Sequence, residues 1–439
     1  MFLNYIKLAW RVLARRKFFT FITLFGISFT LMILMLITSY MQSEFGGKAP
    51  MVNQNELIIM PNIKLSKEYF DTIPSIDTTF FDGVAKYDTT YDIKSNGSSN
   101  SSSSMDNDML ETHFRSLSSI KRSTIFNSDS GFDVFVNNSK ININVNYTDH
   151  FFWDVFNFNF IEGRPYDEND VEQGAQIAVI TLRLAKDYFG RENVMDELIN
   201  IDGKQFKVIG IVERAKMAIQ YLTSDMFIPH TNYETSYKDP YFGGFSMIFQ
   251  SEENLQKAKG EIEYVAKNIP ADLNPDYNEV TANPATYSEL YAKMMYYEED
   301  EEKSLSFMKK ILFGLLALFV LLPVLNLINL NVSRIMDRSS EIGVRKAFGA
   351  TNSDILAQFI FENIIQTLLG GLIGFILVII AIYIINDGRY LGEIQLGIDM
   401  KFFFYSLIIC LFFGVLSGLL PAWKMSKTHI VNALKSIQL

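Results

Sequence analysis

The stretch Phe18–Tyr40 reads FFTFITLFGISFTLMILMLITSY and contains 23 residues without one charged side chain. A helix needs about 20 apolar residues to cross a membrane hydrocarbon core that is about 30 Å thick. Uncharged runs of this length are rare among the buried helices of soluble proteins. A cleaved signal peptide is also disfavoured, because its apolar region spans only about 7–15 residues and ends at a small-residue cleavage site. The stretch therefore predicts a retained transmembrane helix.

Three further stretches have the same character. Ile311–Ser333 and Phe402–Trp423 carry no charge, and Ile355–Asn386 carries only Glu362. The predicted fold class is therefore an α-helical membrane protein with four transmembrane helices, at residues 18–40, 311–333, 355–386 and 402–423. A large α+β extracytoplasmic domain, residues 41–310, is predicted as an insertion between helices 1 and 2.

The composition excludes several classes of function. The net charge of −10 argues against a nucleic-acid partner, because basic surfaces supply that affinity. Cys410 is the single cysteine, which excludes an internal disulfide and any multi-cysteine metal site. No H-E-x-x-H run, paired-carboxylate motif or Ser/His arrangement occurs among the remaining residues. We therefore predict no catalytic residue and no metal site.

Lysine and arginine predict the orientation. They are concentrated in residues 1–17, in the loop 334–354 and in the tail 424–439, whereas acids balance them in the loop 387–401. Because basic flanks stay on the cytoplasmic side, both termini and the 334–354 loop are predicted to be cytoplasmic. The domain 41–310 and the short external loop 387–401 are then predicted to lie on the opposite side.

Both termini have amphipathic patterns. In residues 1–17, Phe2, Ile6, Trp10 and Leu13 recur at helical spacing, and basic residues fill another face. This predicts an interfacial helix along the cytoplasmic leaflet, with Trp10 as an anchor among the lipid headgroups. A disordered cationic tail is the alternative. The cytoplasmic tail 424–439 has a similar pattern.

The extracytoplasmic domain shows patterns of both strands and helices, which indicate an α+β or α/β domain, and we predict the α+β class. The predicted elements are buried strands at Glu56–Met60 and Gln176–Thr181, a hairpin joining Leu198–Ile201 to Gln205–Ile211 through Asp202-Gly203, and a helix over Glu252–Asn268. The run Ser95–Ser104, SNGSSNSSSS, is of low complexity and offers no apolar side chain for a core. Residues 95–104 are therefore predicted to form a mobile loop.

The loop 334–354 contains RIMDRSSEIGVRKAFGAT at Arg334–Thr351, where apolar residues at helical spacing mix with charges of both signs. A loop that only reversed the chain would be shorter, so we predict a docking surface for another protein rather than a solvated turn. Gly349 is predicted to stop the loop helix. Asn352 or Ser353 is predicted to cap the next helix.

This loop resembles the R-x-x-E-I-G-[IV]-R-[KR]-A-x-G-A signature of the MacB/FtsX-like ABC transporter permeases. The matching residues are Arg338, Glu341, Ile342, Gly343, Val344, Arg345, Lys346, Ala347, Gly349 and Ala350. A second match lies at Gly418–Ser426 and Ala433-Leu434, where Met425 departs from the usual alanine. A third set resembles the MacB-type periplasmic core and comprises Phe160–Pro165, Ile177–Ile180, Ala185, Phe189-Gly190, Val208–Val212 and Phe227–Pro229. Residues 61–130 match no pattern.

The resemblance implies a dimer of four-helix permeases driven by an ABC ATPase that docks on the cytoplasmic coupling loop 334–354. The implied docking residues are Arg338, Glu341, Ile342, Val344, Arg345, Lys346 and Phe348. Because no phosphate-binding G-x-x-x-x-G-K-[ST] loop occurs and 17 residues precede the first span, we expect a separate ATPase to bind ATP and magnesium. No cofactor is expected in this chain.

The other expected partners are membrane lipid and a second permease, identical or paralogous. A periplasmic adaptor and an outer-membrane channel are left open. The resemblance implies a multi-pass protein of the bacterial plasma (inner) membrane.

Polar and small residues stand out within the predicted spans. Gly370-x-x-x-Gly374 and Gly414-x-x-x-Gly418 have the spacing that permits close helix packing. Glu362 would be costly in hydrocarbon. It lies two turns from the cytoplasmic end of its helix, so we predict that it is an interface anchor at headgroup level with a structural role near the coupling loop.

Three functions follow as hypotheses. The first is a permease that couples a partner's ATP hydrolysis to movement of the extracytoplasmic domain, for efflux or extraction of peptide, antibiotic, lipid or lipoprotein. The alternative is an FtsX-like regulator whose domain activates a cell-wall hydrolase without transport, although 41–310 is large for that role. The third, a membrane enzyme, has no supporting motif.

Overall fold

The computed structural model describes residues 17–81, 84–105, 107–136, 139–215, 223–234, 244–252, 254–269, 277, 279–296, 300–336, 343–345, 347–392 and 394–426. The chain divides into two compact units. Gly47–Leu305 is the α+β unit. The segments Met1–Gly46 and Ser306–Leu439 contain the helical unit.

The helices are α1 Lys17–Phe45, α2 Asn107–Met109, α3 Phe152–Val155, α4 Glu168–Glu172, α5 Leu182–Phe189, α6 Leu255–Lys267, α7 Tyr287–Tyr296, α8 Glu301–Met336, α9 Asn352–Asp387 and α10 Met400–Ser426. The strands are β1 Leu57–Met60, β2 Ile63–Phe81, β3 Val84–Ser103, β4 Ile120–Val136, β5 Ser139–Thr148, β6 Phe160–Gly163, β7 Ile177–Thr181, β8 Leu198–Ile201, β9 Lys204–Val212, β10 Met226–Pro229, β11 Ser246–Ser251, β12 Glu279–Ala282 and β13 Ala285–Thr286.

Several helices have the length and composition of membrane spans. Within the described part of the chain, three segments meet both criteria: Lys17–Phe45, Glu301–Leu321 and Ser353–Asp387. The described apolar part of α10, Met400–Leu416, is shorter. The helix α1 extends beyond both ends of the predicted span 18–40.

In the helical unit, α9 packs against both α1 and α10. Ile27 and Leu31 of α1 are buried, and Leu407 and Cys410 of α10 pack against them. Among the residues that the structure describes, α1, α9 and α10 therefore share one contact region.

The α+β unit is built on a mixed sheet with the order β13-β1-β11-β4-β5-β10-β7-β9-β6, and β8 pairs with β9. The pairs β5–β10 and β7–β9 are parallel, and the other pairs of this sheet are antiparallel. A second sheet has the order β12-β2-β3. The buried core includes Ile58, Ile125, Val208, Phe249 and Ile262. The predicted α+β class of this domain is confirmed.

The predicted hairpin is present. Leu198 pairs with Lys207 and Ile201 with Lys204, and the two-residue turn has positive φ at Asp202 (49°) and Gly203 (78°). Positive φ at both positions is the geometry that favours Asp-Gly in tight hairpins. The predicted strands are also present as β1 and β7, and the predicted helix as α6.

The prediction of a loop over residues 95–104 is wrong. Val84–Ser103 forms the strand β3, which pairs with β2 in a register that places Ile63 opposite Ser103 and Leu65 opposite Ser101. The backbone groups of a serine-rich segment pair as well as any others, whatever the side chains contribute. The apolar burial comes from the neighbouring strands, where Ile63, Leu65 and Val280 are buried.

Candidate functional site

The described part of the coupling loop forms a short helical turn. Phe348 N donates to Val344 O at 3.1 Å, and Ala350 N donates to Arg345 O at 3.0 Å. The turn ends at Gly349, whose φ of 91° lies in the left-handed region that glycine adopts without strain. Gly349 therefore ends the loop helix, as predicted.

The cap of α9 is Thr351 rather than the predicted Asn352 or Ser353. Asp354 N donates to Thr351 Oγ1 at 3.3 Å, and Thr351 N donates to Asp354 Oδ2 at 2.9 Å. This reciprocal capping box needs an acid three residues after the cap, and Asp354 stands at that distance from Thr351. The strong cap fixes the point at which the loop becomes helix.

The loop presents an apolar face. Val344 is 49% exposed and Phe348 is 88% exposed. Residues four apart lie on the same side of a helical turn, so these two side chains form one exposed apolar face. We call it the Val344–Phe348 face.

Arg345 points elsewhere. Its Nη1 donates a hydrogen bond to Oε1 of Gln358, which lies on α9. Sequence reasoning missed Gln358, although a signal existed: Gln358, Glu362 and Gln366 repeat every four residues along a mostly apolar helix. The predicted docking residues Arg338, Glu341, Ile342 and Lys346 lie outside the described residues.

A buried polar row continues along α9. Glu362 is 2% exposed and Gln366 is 1% exposed, and Asn363 and Thr367 beside them are also buried. Thr367 Oγ1 donates to Asn363 O at 2.9 Å. The carboxylate of Glu362 is thus packed within the helical unit. Trp10, the other predicted interface anchor, lies outside the described residues.

Two of the predicted packing glycines lie against α1. A Cβ on Gly370 would be 2.7 Å from Ile27 Cγ2, and one on Gly374 would be 2.8 Å from Ser28 O. A Cβ on Gly414 would be 2.8 Å from Thr367 Oγ1. Real Cβ atoms do not approach so closely, so each glycine leaves room for its neighbour: the backbone of Ser28 at Gly374, and the side chains of Ile27 at Gly370 and of Thr367 at Gly414. The surroundings of Gly418 lie outside the described part of the structure.

The segment after α9 is hydrogen-bonded to α1, which the sequence did not predict. Ser39 Oγ donates to Gly397 O at 2.7 Å, and Ser43 Oγ donates to Gln395 O at 2.7 Å. Asn386 holds the same segment through both amide atoms: Nδ2 donates to Leu396 O at 2.9 Å, and Leu396 N donates to Oδ1 at 3.0 Å. We call this extended segment, residues 394–398, the strap.

In the α+β unit, the Phe160–Pro165 motif has a steric basis. Gly163 has a φ of 79°, and a Cβ there would lie 2.2 Å from Ile209 O. Arg164 Nη1 donates to Asp170 Oδ2 at 2.6 Å, which lowers the pKa of Asp170 below its usual value. The motif therefore joins β6 tightly to β9 and to α4.

A buried ion pair joins α6 to α7. Lys259 Nζ lies 2.5 Å from Glu289 Oε2, and both side chains are less than a tenth exposed. Thr286 also donates to Glu289 Oε2, from its N at 2.6 Å and its Oγ1 at 2.9 Å. Burial alone would raise the pKa of Glu289, but these donors outweigh it and lower the pKa. Among the residues that the structure describes, no group of three His, Cys, Asp or Glu side chains is placed to hold a metal ion.

An α+β unit continuous with long apolar helices defines a membrane protein that carries a large folded domain outside its spans. Residues 20–265 match the model of the MacB-like periplasmic core domain, and residues 313–430 match the model of the FtsX-like permease C-terminal domain. The chain belongs to the MacB/FtsX-like family of ABC transporter permeases.

Two proteins of similar sequence are described as a permease and as an ATP-binding/permease protein. The chain is 25% identical over 280 residues to the uncharacterized ABC transporter permease YknZ of Bacillus subtilis, covering 62% of this chain and 65% of YknZ. It is 26% identical over 288 residues to the pyoverdine export ATP-binding/permease protein PvdT of Pseudomonas syringae pv. syringae, covering 64% of this chain and 41% of PvdT. The match therefore spans less than two thirds of either relative.

Among solved structures, the periplasmic region of MacB from Actinobacillus actinomycetemcomitans aligns at 18% identity with a TM-score of 0.35. That alignment covers 44% of this chain and 84% of the MacB region.

Proposed function

We propose that the chain is the permease subunit of a MacB-like ABC transporter, in which a separate cytosolic ATPase changes the conformation of the α+β domain. The observation that carries the proposal is the exposed Val344–Phe348 face on a capped turn that leads directly into α9. An exposed apolar face next to a predicted membrane helix is a site for a protein partner. The family supplies the kind of partner, an ABC ATPase.

A continuous series of contacts links the Val344–Phe348 face to α9 and α1 within the helical unit. Thr351 and Asp354 join the loop to α9. Gly374 packs against the backbone of α1, and Gly370 packs against a side chain of α1. Close-packed helices move as bodies rather than deforming, because their interiors have few voids. A displacement of the coupling loop would therefore move α9 together with α1, and α1 leads along the chain into the α+β unit.

The membrane arrangement proposed has four spans, at 18–40, 311–333, 355–386 and 402–423, with both termini in the cytoplasm. The helices expose large apolar side chains, among them Phe21, Phe313, Ile380 and Phe404, on surfaces that lipid would cover. The α+β domain then lies on the far side of a bacterial plasma (inner) membrane. The cargo proposed is a peptide, antibiotic, lipid or lipoprotein handled at that domain.

A second permease, identical or paralogous, completes the proposed assembly. Two ATPase subunits that sandwich ATP between them need two docking loops, and this chain supplies one such loop. Two-fold symmetry is the commonest arrangement for oligomers. Native mass spectrometry in several mild detergents is expected to show two permeases with two ATPases, and a single permease bound to its ATPases would contradict the assembly.

The docking role is tested by replacing Phe348 with serine in the full chain, reconstituted with the ABC ATPase that binds the wild-type permease. Phe348→Ser is expected to abolish the ATPase stimulation and weaken the complex, because the exposed ring is the largest apolar contact of the Val344–Phe348 face. Phe135→Ser is the matched control, since Phe135 is 74% exposed in the α+β unit. Equal stimulation by the two variants would refute the docking role.

A further inference from the structure

The hydrogen bond between Arg345 and Gln358 joins two segments that are separated by a turn. Arg345 stands before the left-handed Gly349, and Gln358 stands about two turns into α9, after the Thr351 cap. The bond therefore restrains the angle between the loop helix and α9.

The described turn that carries Val344, Arg345 and Phe348 is joined to α9 through Gly349 and Thr351. Gly349 has a left-handed backbone, which makes this joint permissive. The hydrogen bond between Arg345 and Gln358 crosses the joint, so it constrains the direction of the turn relative to α9.

Arg345 is suited to set this direction. It follows Val344 directly on the turn, so its side chain leaves the turn on a different side from the Val344–Phe348 face. With its guanidinium held by Gln358, that face is turned outward, as the exposure of Phe348 shows. The donor of this bond is a guanidinium, and hydrogen bonds from such donors are stronger and more directional than those between neutral groups.

We propose that Gln358 is a positioning residue of the coupling loop. It accepts the hydrogen bond from Arg345 and holds the Val344–Phe348 face at a fixed angle to α9, so that displacement of the face displaces the helix. Arg345 then acts through Gln358 rather than by touching the ATPase. The inference rests on the proposed function, since it assigns Gln358 a part in ATPase coupling.

The test is Gln358→Leu in the full permease chain, reconstituted with the ABC ATPase that binds the wild-type permease. ATPase stimulation is expected to fall about tenfold, the effect of losing one charge-assisted hydrogen bond, while affinity for the ATPase is retained because the Val344–Phe348 face is intact. Gln358→Glu keeps an acceptor opposite Arg345 and is expected to keep the stimulation. Gln256→Leu, at an exposed position at the start of α6, is the matched control.

A double-mutant cycle isolates the contact. Arg345→Met is expected to reproduce the loss caused by Gln358→Leu, and the double variant is expected to be no worse than either single variant. Additive losses would overturn the inference. A loss of ATPase affinity in Gln358→Leu as large as that in Phe348→Ser would also overturn it, because Gln358 would then contact the partner.

The melting temperatures of the same four proteins, measured on the permease alone, give a second double-mutant cycle. Coupling between Arg345 and Gln358 in the melting temperature, without any ATPase stimulation by the wild-type chain, would contradict the proposed function and leave the contact established. Absence of coupling in the melting temperature, with normal stimulation by the wild-type chain, would overturn the positioning role and leave the proposed function standing.

Discussion

Gly374 of α9 lies against Ser28 of α1 so closely that a Cβ on the glycine would be 2.8 Å from the serine carbonyl oxygen. One turn earlier, a Cβ on Gly370 would be 2.7 Å from Cγ2 of the Ile27 side chain. Small residues let the backbones of membrane helices approach, and dispersion contacts then hold the pair. The two glycines therefore set the distance between α1 and α9.

Replacing Gly374 with valine is expected to force these helices apart. Overpacking of a tight interface costs about 1–3 kcal/mol, so the melting temperature of the detergent-solubilised chain should fall. Gly314→Val is the control, because a Cβ at Gly314 would meet nothing within 4 Å. Equal melting temperatures of the Gly374→Val and Gly314→Val proteins would show that the contact between α1 and α9 is not tight.

The strap is expected to depend on the two serines of α1. Ser39→Ala combined with Ser43→Ala removes two tertiary hydrogen bonds, each worth about 0.5–1.5 kcal/mol. We expect a lower melting temperature and faster protease cleavage between residues 388 and 399. Thr38→Ala is the matched control, since Thr38 Oγ1 bonds to Leu34 O of its own helix at 2.9 Å. Equal cleavage rates in the two proteins would contradict a role for the serines.

Gly163 and Gly203 allow backbone strain from a positive φ to be compared with a steric clash of an added Cβ. Both have a positive φ, 79° and 78°, but a Cβ on Gly203 would meet nothing within 4 Å, whereas one on Gly163 would meet Ile209 O. Gly203→Ala is expected to cost about 1–2 kcal/mol from the left-handed backbone alone. Gly163→Ala should cost more and lower the yield of folded protein, measured by tryptophan fluorescence on heating. Equal losses would show that β6 can move away from β9.

The Lys259–Glu289 pair is expected to stabilise the α+β unit in a pH-dependent way. Removal of one partner of a buried pair costs about 3–5 kcal/mol, so Glu289→Leu should be strongly destabilised. The double variant Lys259→Met with Glu289→Leu should recover much of the loss, because no unpaired charge remains.

The lowered pKa of Glu289 determines how its contribution to folding stability changes with pH. A carboxyl whose pKa is lower in the folded state stabilises the fold above its usual pKa of 4.5, and loses this effect as the pH falls through the lowered value. The difference in melting temperature between wild type and Glu289→Leu should therefore be full at pH 7 and shrink below pH 4.5. A difference that grows on acidification would contradict the assignment.

The proposed topology is tested with single cysteines in a Cys410→Ala chain. A membrane-impermeant maleimide added to spheroplasts should label Ser102→Cys and Tyr390→Cys, which are exposed positions of the α+β unit and of the loop after α9. Phe348→Cys should react only after permeabilisation. Labelling of Phe348→Cys in sealed spheroplasts would reverse the orientation.

Local patterns were sufficient for much of the α+β unit. The Asp202-Gly203 turn, the apolar strand at Ile177–Thr181 and the helical spacing of α6 are each encoded in fewer than twenty adjacent residues, and the structure confirms them. The side-chain pattern wrongly predicted a loop at Ser95–Ser103. The side chains there show no alternation typical of a strand, but the backbone pairs with β2. Pairing of that kind depends on a partner strand far away in sequence, since Ser95 pairs with Phe70 and Ser103 with Ile63.

The sequence by itself determined which parts of the chain are apolar enough for a membrane, where the loop helix stops at Gly349, and which family motifs are present. These properties follow from composition, spacing and the backbone freedom of glycine, all of which act locally. Only the tertiary structure decided that Arg345 bonds to Gln358, that Ser39 and Ser43 hold the strap, and that Gly374 lies on Ser28. A helical pattern fixes the face on which a residue lies, but the neighbour it meets depends on the path of the whole chain.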